Sequence, residues 1–85
     1  MLLQQALSSG TFAITAEVTP PRGGDAARTL AAASALRGWV QAVNVTDGSR
    51  AVMRMSSIAV CRLLLDLGIE PVLQMACRDR NRIAL

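Results

Sequence analysis

Three short runs that alternate between apolar and polar side chains, separated by two stretches with helical spacing, constrain this chain more than anything else in it. In the first run, residues 12–19, Phe12, Ile14, Ala16 and Val18 fall on one face and Ala13, Thr15, Glu17 and Thr19 on the other, which is the two-residue period of a strand. Pro20-Pro21 ends the run, since neither proline has an N–H to give to a ladder. Gly23-Gly24 then forms a turn, and Asp25 suits the N-cap of a helix predicted over 26–37. Leu30, Ala33 and Leu36 make one stripe of that helix, and Gly38 stops it. A second strand is predicted over 40–46, with Val43 and Val45 on one face and Ala42, Asn44 and Thr46 on the other. Asp47-Gly48-Ser49 is a turn of the kind that precedes a helix. That helix is predicted over 51–67, with Val52, Met55, Ala59, Val60, Leu63, Leu64 and Leu67 at helical spacing and Gly68 as its end. A third strand follows over 71–77, and a third helix opens over 79–85.

The order β-α-β-α-β-(α) implies right-handed crossovers and a parallel sheet. Open doubly wound sheets and closed TIM (β/α)8 barrels both begin this way, and two features favour the barrel. The first turn reads Pro-Pro-Arg-Gly-Gly-Asp and lacks the GxGxxG fingerprint of a dinucleotide fold. Each strand also keeps one face small or polar (Thr15, Glu17, Thr19; Ala42, Asn44, Thr46; Gln74, Ala76), whereas a sheet covered by helices on both sides is apolar on both. A barrel usually takes about 250 residues, so the 85 residues are expected to be the N-terminal part of a single barrel domain, with three of its eight strands.

Composition removes several other classes. Aromatic residues make up 2% of the chain, Phe12 and Trp39 alone, too few for a base-stacking surface. All nine basic residues are arginines and most are scattered along the chain, so the net charge of +3 describes solvated helix surfaces better than a nucleic-acid-binding face. There is no histidine, and Cys61 and Cys77 form no CxxC pair, so no metal site is expected and the two thiols suit a reducing compartment. Residues 1–10 have no basic n-region and carry Gln4 and Gln5, unlike a signal peptide. No apolar run reaches the roughly 18 residues of a membrane span. A cytoplasmic chain is expected.

In a barrel the chemistry sits at the C-terminal ends of the strands, which brings forward Glu17, Thr46 and Gln74. Glu17 is a carboxylate in an otherwise uncharged strand. On a buried face it must be partnered or used, and burial beside neutral neighbours favours the protonated form, a proton donor. Its alternatives are a solvent-facing edge or pairing with an arginine such as Arg22. Thr46-Asp47-Gly48 can aim a hydroxyl, a carboxylate and backbone N–H groups at a ligand, although Asp47 could equally cap a helix. Gln74 both donates and accepts, which suits a flavin or pterin edge or a satisfied core amide. The charges of Arg78, Asp79, Arg80 and Arg82 fit surface pairing better than phosphate binding.

Three segments, Glu17-Val18-Thr19-Pro20-Pro21-Arg22, Val43-Asn44-Val45-Thr46-Asp47-Gly48 and Gln74-Met75-Ala76-Cys77-Arg78-Asp79-Arg80-Asn81, together resemble the methylenetetrahydrofolate reductase family. Its motifs are E-x-x-P-P after the first strand, a V-T-D-G-like turn after the second and an H-L-T-C-R-D-like third strand, in the same order. The resemblance implies a TIM barrel that binds FAD and passes hydride from NADH or NADPH to 5,10-methylenetetrahydrofolate, giving 5-methyltetrahydrofolate in one-carbon and methionine metabolism. It implies that Glu17 is the general acid that opens the folate's five-membered ring. It also implies that Thr46 lies near flavin and nicotinamide, with Asp47, Gly48 and Ser49 lining the flavin and Gln74 standing where the family often has His. The family's L-R-G-D segment is not among these residues, so the rest of the barrel or other subunits are expected to be needed for activity. The alternatives are a truncated non-catalytic α/β module and a pterin- or corrinoid-linked methyltransferase barrel without flavin.

Overall fold

The computed structural model describes residues 3–48, 53–77 and 81–84. Six elements run in chain order: α1 (Leu3–Ser8), β1 (Thr15–Val18), α2 (Ala27–Leu36), β2 (Ala42–Val45), α3 (Ser57–Asp66) and β3 (Pro71–Leu73). The strands form one parallel sheet in the order β1-β2-β3. Thr15 pairs with Ala42 and Glu17 with Asn44 across the first seam, and Asn44 pairs with Val72 across the second.

Sequential order has a steric consequence. Two right-handed crossovers that step in the same direction leave both helices on the same side of the sheet. The core shows this: Val18, Val43 and Val45 from the strands meet Ala33 of α2, Val60, Cys61 and Leu64 of α3, and Ile69. Leu64, Val43, Val45 and Val60 are among the largest fully buried side chains. Burial also pushes the Cys61 thiol up from its ordinary pKa, because the thiolate would lose its hydration there. The opposite face carries Thr15, Glu17, Asn44 and Val72, and neither α2 nor α3 packs on it.

Local chemistry explains where the helices stop. Ser56 caps α3 with its hydroxyl, which accepts the Ile58 N–H. At its other end the Gly68 N–H bonds the Leu65 carbonyl and the Ile69 N–H bonds the Leu64 carbonyl, both at 3.0 Å. This double closure needs a left-handed residue between, and Gly68 has φ +75°. Ile69 then packs into the core with Leu64. Gly38 closes α2 as expected, in a turn where the Trp39 N–H bonds the Leu36 carbonyl at 3.0 Å. Asp25 accepts the Ala27 N–H at 2.9 Å, so it serves the start of α2 although Ala26 is the formal cap.

Several sequence expectations are corrected. The strands are shorter than predicted, because laddering ends where the chain bends into loops. Phe12 and Ile14, predicted to share the face of Ala16 and Val18, precede β1 and are exposed. The second predicted helix starts late: residues 53–56 are not helical and α3 begins only after its Ser56 cap, while 51 and 52 lie outside the described residues. Of the helix predicted over 79–85, residues 81–84 make a turn in which Asn81 accepts the Ala84 N–H, while 79, 80 and 85 lie outside the described residues. The short α1 was not anticipated; its signal was the Leu3, Ala6, Leu7 spacing, and Ala6 is fully buried. No helix among the described residues is long and apolar enough to cross a membrane.

Candidate active site

Parallel strands in register gather the predicted residues at one end of the open face. Glu17 stands opposite Asn44, and Thr46 lies two residues beyond Asn44 on the same face. With strands about 4.8 Å apart and about 3.3 Å of rise per residue, the Glu17 and Thr46 backbones are roughly 8 Å apart. The ladder continues one step past the assigned strands, because the Thr46 N–H bonds the Val18 carbonyl at 3.3 Å and the Gln74 N–H bonds the Val45 carbonyl at 3.2 Å. Thr46 and Gln74 therefore occupy adjacent places at the C-terminal ends of β2 and β3.

Their surroundings differ sharply. Thr46 is 4% exposed, and its Oγ1 is buried with no hydrogen-bond partner among the described residues. A buried hydroxyl left unpaired carries an uncompensated desolvation cost. Glu17 is exposed, contrary to the reading that puts it on a buried face, because neither α2 nor α3 packs over it. No arginine among the described residues forms an ion pair with it, so the proposed Arg22 partnership is not seen; the ion pair that does form is Arg62 with Asp66 on the surface of α3. Gln74 has an exposed side chain.

Asp47 has a defined task. Its Oδ2 accepts the Ala76 N–H at 2.8 Å, tying the turn after β2 to the chain leaving β3. A second tie, from Ser57 Oγ to the Gln74 carbonyl at 3.2 Å, joins the start of α3 to the same stretch. Gly48 follows Asp47 with φ +59°. Ser49 lies outside the described residues. The structure thus brings Glu17, Thr46, Asp47, Gly48 and Gln74 to one end of the sheet.

Sequence reasoning passed over two residues on or beside this face. Asn44 sits half-buried between Glu17 and Val72 and donates through Nδ2 to Thr15 Oγ1 at 3.2 Å; the alternation had put it on the inward face without assigning it a task. Arg54 reaches back to donate to the Pro20 carbonyl at 2.9 Å, which its place among scattered arginines did not suggest. Among the described residues no three His, Cys, Asp or Glu side chains gather as a metal site.

The family model described as methylenetetrahydrofolate reductase matches residues 2–85. No curated protein and no solved structure matches the chain.

Proposed function

Because the chain belongs to the methylenetetrahydrofolate reductase family, we propose that its open sheet face is part of the site where a flavin-dependent reductase converts 5,10-methylenetetrahydrofolate to 5-methyltetrahydrofolate. On this reading the three strands are the first arc of a (β/α)8 barrel, with the open face turned inward. Sequential winding with both crossover helices, α2 and α3, on one side is what such an arc requires. Three strands cannot close a barrel, and the 85 residues alone are expected not to turn over folate.

The buried, unpartnered Thr46 hydroxyl is the observation that carries the reading. A ring edge rich in carbonyl and N–H groups fits such a position, and Gly48 and the exposed Gln74 amide stand at the same end of the sheet. Thr46, Gly48 and Gln74 would hold FAD, with Asp47 fixing the turn through its bond to Ala76. A flavin held there would supply the redox chemistry between NADH or NADPH and the folate.

Glu17 does the acid work. Its carboxyl gives a proton to a nitrogen of the folate's five-membered ring, and the bond from that nitrogen to the bridging carbon breaks. The carbon is left as an iminium that can accept hydride. Closure of the barrel around Glu17 would exclude water from this step.

Glu17→Gln keeps the shape and removes the proton. In the FAD-loaded reductase this variant should retain flavin and still oxidise NAD(P)H with an artificial electron acceptor, while folate reduction is lost. Folate turnover at a near-normal rate would rule out the assigned role. A purified reductase that takes up no flavin on reconstitution would overturn the reading as a whole.

A further inference from the structure

Pro20 and Pro21 give the end of β1 two carbonyls and no N–H. A strand end of this kind can only accept, and Pro20 is buried, so its carbonyl needs a donor from outside the strand. Two donors arrive from the segment joining β2 to α3. Arg54 Nη1 bonds the Pro20 carbonyl at 2.9 Å, and the Met55 N–H bonds the Pro21 carbonyl at 2.7 Å. Both are firmly backed, since Met55 packs against the core and the next residue, Ser56, caps α3. Arg54 is half-buried, and no carboxylate among the described residues forms an ion pair with it. Its charge is directed at a main-chain carbonyl three residues after Glu17, in a bond stronger than a neutral one.

We propose that Arg54 is a positioning residue for Glu17: its guanidinium clamps the donor-less Pro-Pro strand end and so fixes the carboxyl relative to the turn that carries Thr46. The proposal rests on the reading of Glu17 as proton donor. A merely structural strap would lower stability and slow every step alike. A clamp on the acid slows the step that needs the acid.

The test compares Arg54→Met, which keeps the stem and loses the donors, with Arg54→Lys, which keeps one donor and the charge. In the FAD-loaded reductase the two half-reactions are timed separately, reduction by NAD(P)H and reoxidation by 5,10-methylenetetrahydrofolate. Arg54→Met should slow the folate half-reaction by about tenfold or more, chiefly in kcat, and leave the nicotinamide half-reaction within about twofold; Arg54→Lys should recover to within about threefold. Amide exchange at Thr46 and Met55 should quicken in Arg54→Met and not in Arg54→Lys. Should Arg54→Met fail to fold, Arg54→Gln, with a donor on a shorter arm, should show a smaller loss confined to the folate half-reaction. Equal losses in both half-reactions, no loss in either, or a lysine variant no better than methionine would overturn the proposal. Failure of the underlying reading looks different: Glu17→Gln would itself retain folate turnover. Combining Glu17→Gln with Arg54→Met should add no further loss, as two changes to one step predict.

Discussion

Thr46 and Glu17 are mismatched to their surroundings in opposite senses. The hydroxyl is buried without a partner, whereas the carboxylate stands in solvent. Each mismatch disappears if a ligand covers the open face, because the hydroxyl then gains a partner and the carboxyl loses water. The hydroxyl can be tested directly. Thr46→Val replaces it with a methyl of nearly the same volume, so the chain should become more stable by about 1 kcal/mol, as expected when an unsatisfied buried polar atom is removed. Urea unfolding measures this, and flavin retention by the reductase should fall in the same variant. A destabilised Val variant would mean that Oγ1 is bonded in solution and is not awaiting a ligand. The placement of Glu17, Thr46 and Gln74 at one end of the sheet is legible from alternation and the position of the Pro-Pro stop. The exposure of Glu17 was not legible, since it depends on what covers a face and not on the strand itself. The Arg54 bond was equally hidden, because it joins residues 34 apart along the chain.

At the scale of elements, the helix ends carry much of the specificity. Gly68 closes α3, turns the chain toward β3 and delivers Ile69 to the core. A Cβ at this position would meet nothing within 4 Å, so the cost of a side chain is conformational alone. Gly68→Ala should therefore cost about 1 kcal/mol, the penalty for an L-residue in the left-handed region. Circular dichroism through thermal unfolding should show the loss with the helix content retained. An unchanged midpoint would mean that the loop adopts another conformation. The two long helices, the three strands and the glycine stops at 38 and 68 could all be read from spacing. Their margins could not: Met53 to Ser56 fit a helical stripe, yet Met55 is drawn out of it to bond the Pro21 carbonyl. Tertiary hydrogen bonding overrode local pattern there. The short α1 escaped notice because six residues carry too little periodicity to stand out.

At the scale of the whole molecule, β1 and β3 are the edges of the sheet among the described residues, and α2 and α3 cover one of its faces. Unpaired parallel edges invite other chains, and exposed Phe12, Trp39, Leu73 and Met75 add apolar surface. The 85-residue chain should therefore associate with rising concentration in sedimentation analysis. A species of 9.0 kDa that stays monodisperse at every concentration would contradict this. The winding order bears on biosynthesis too. Every strand pairs with its neighbour in sequence, so no strand waits for a distant partner and the loops to be closed stay short. As the chain leaves the ribosome, β1 can be joined first by β2 and then by β3. Assembly can thus proceed vectorially, each new strand laid on the rim the previous one left.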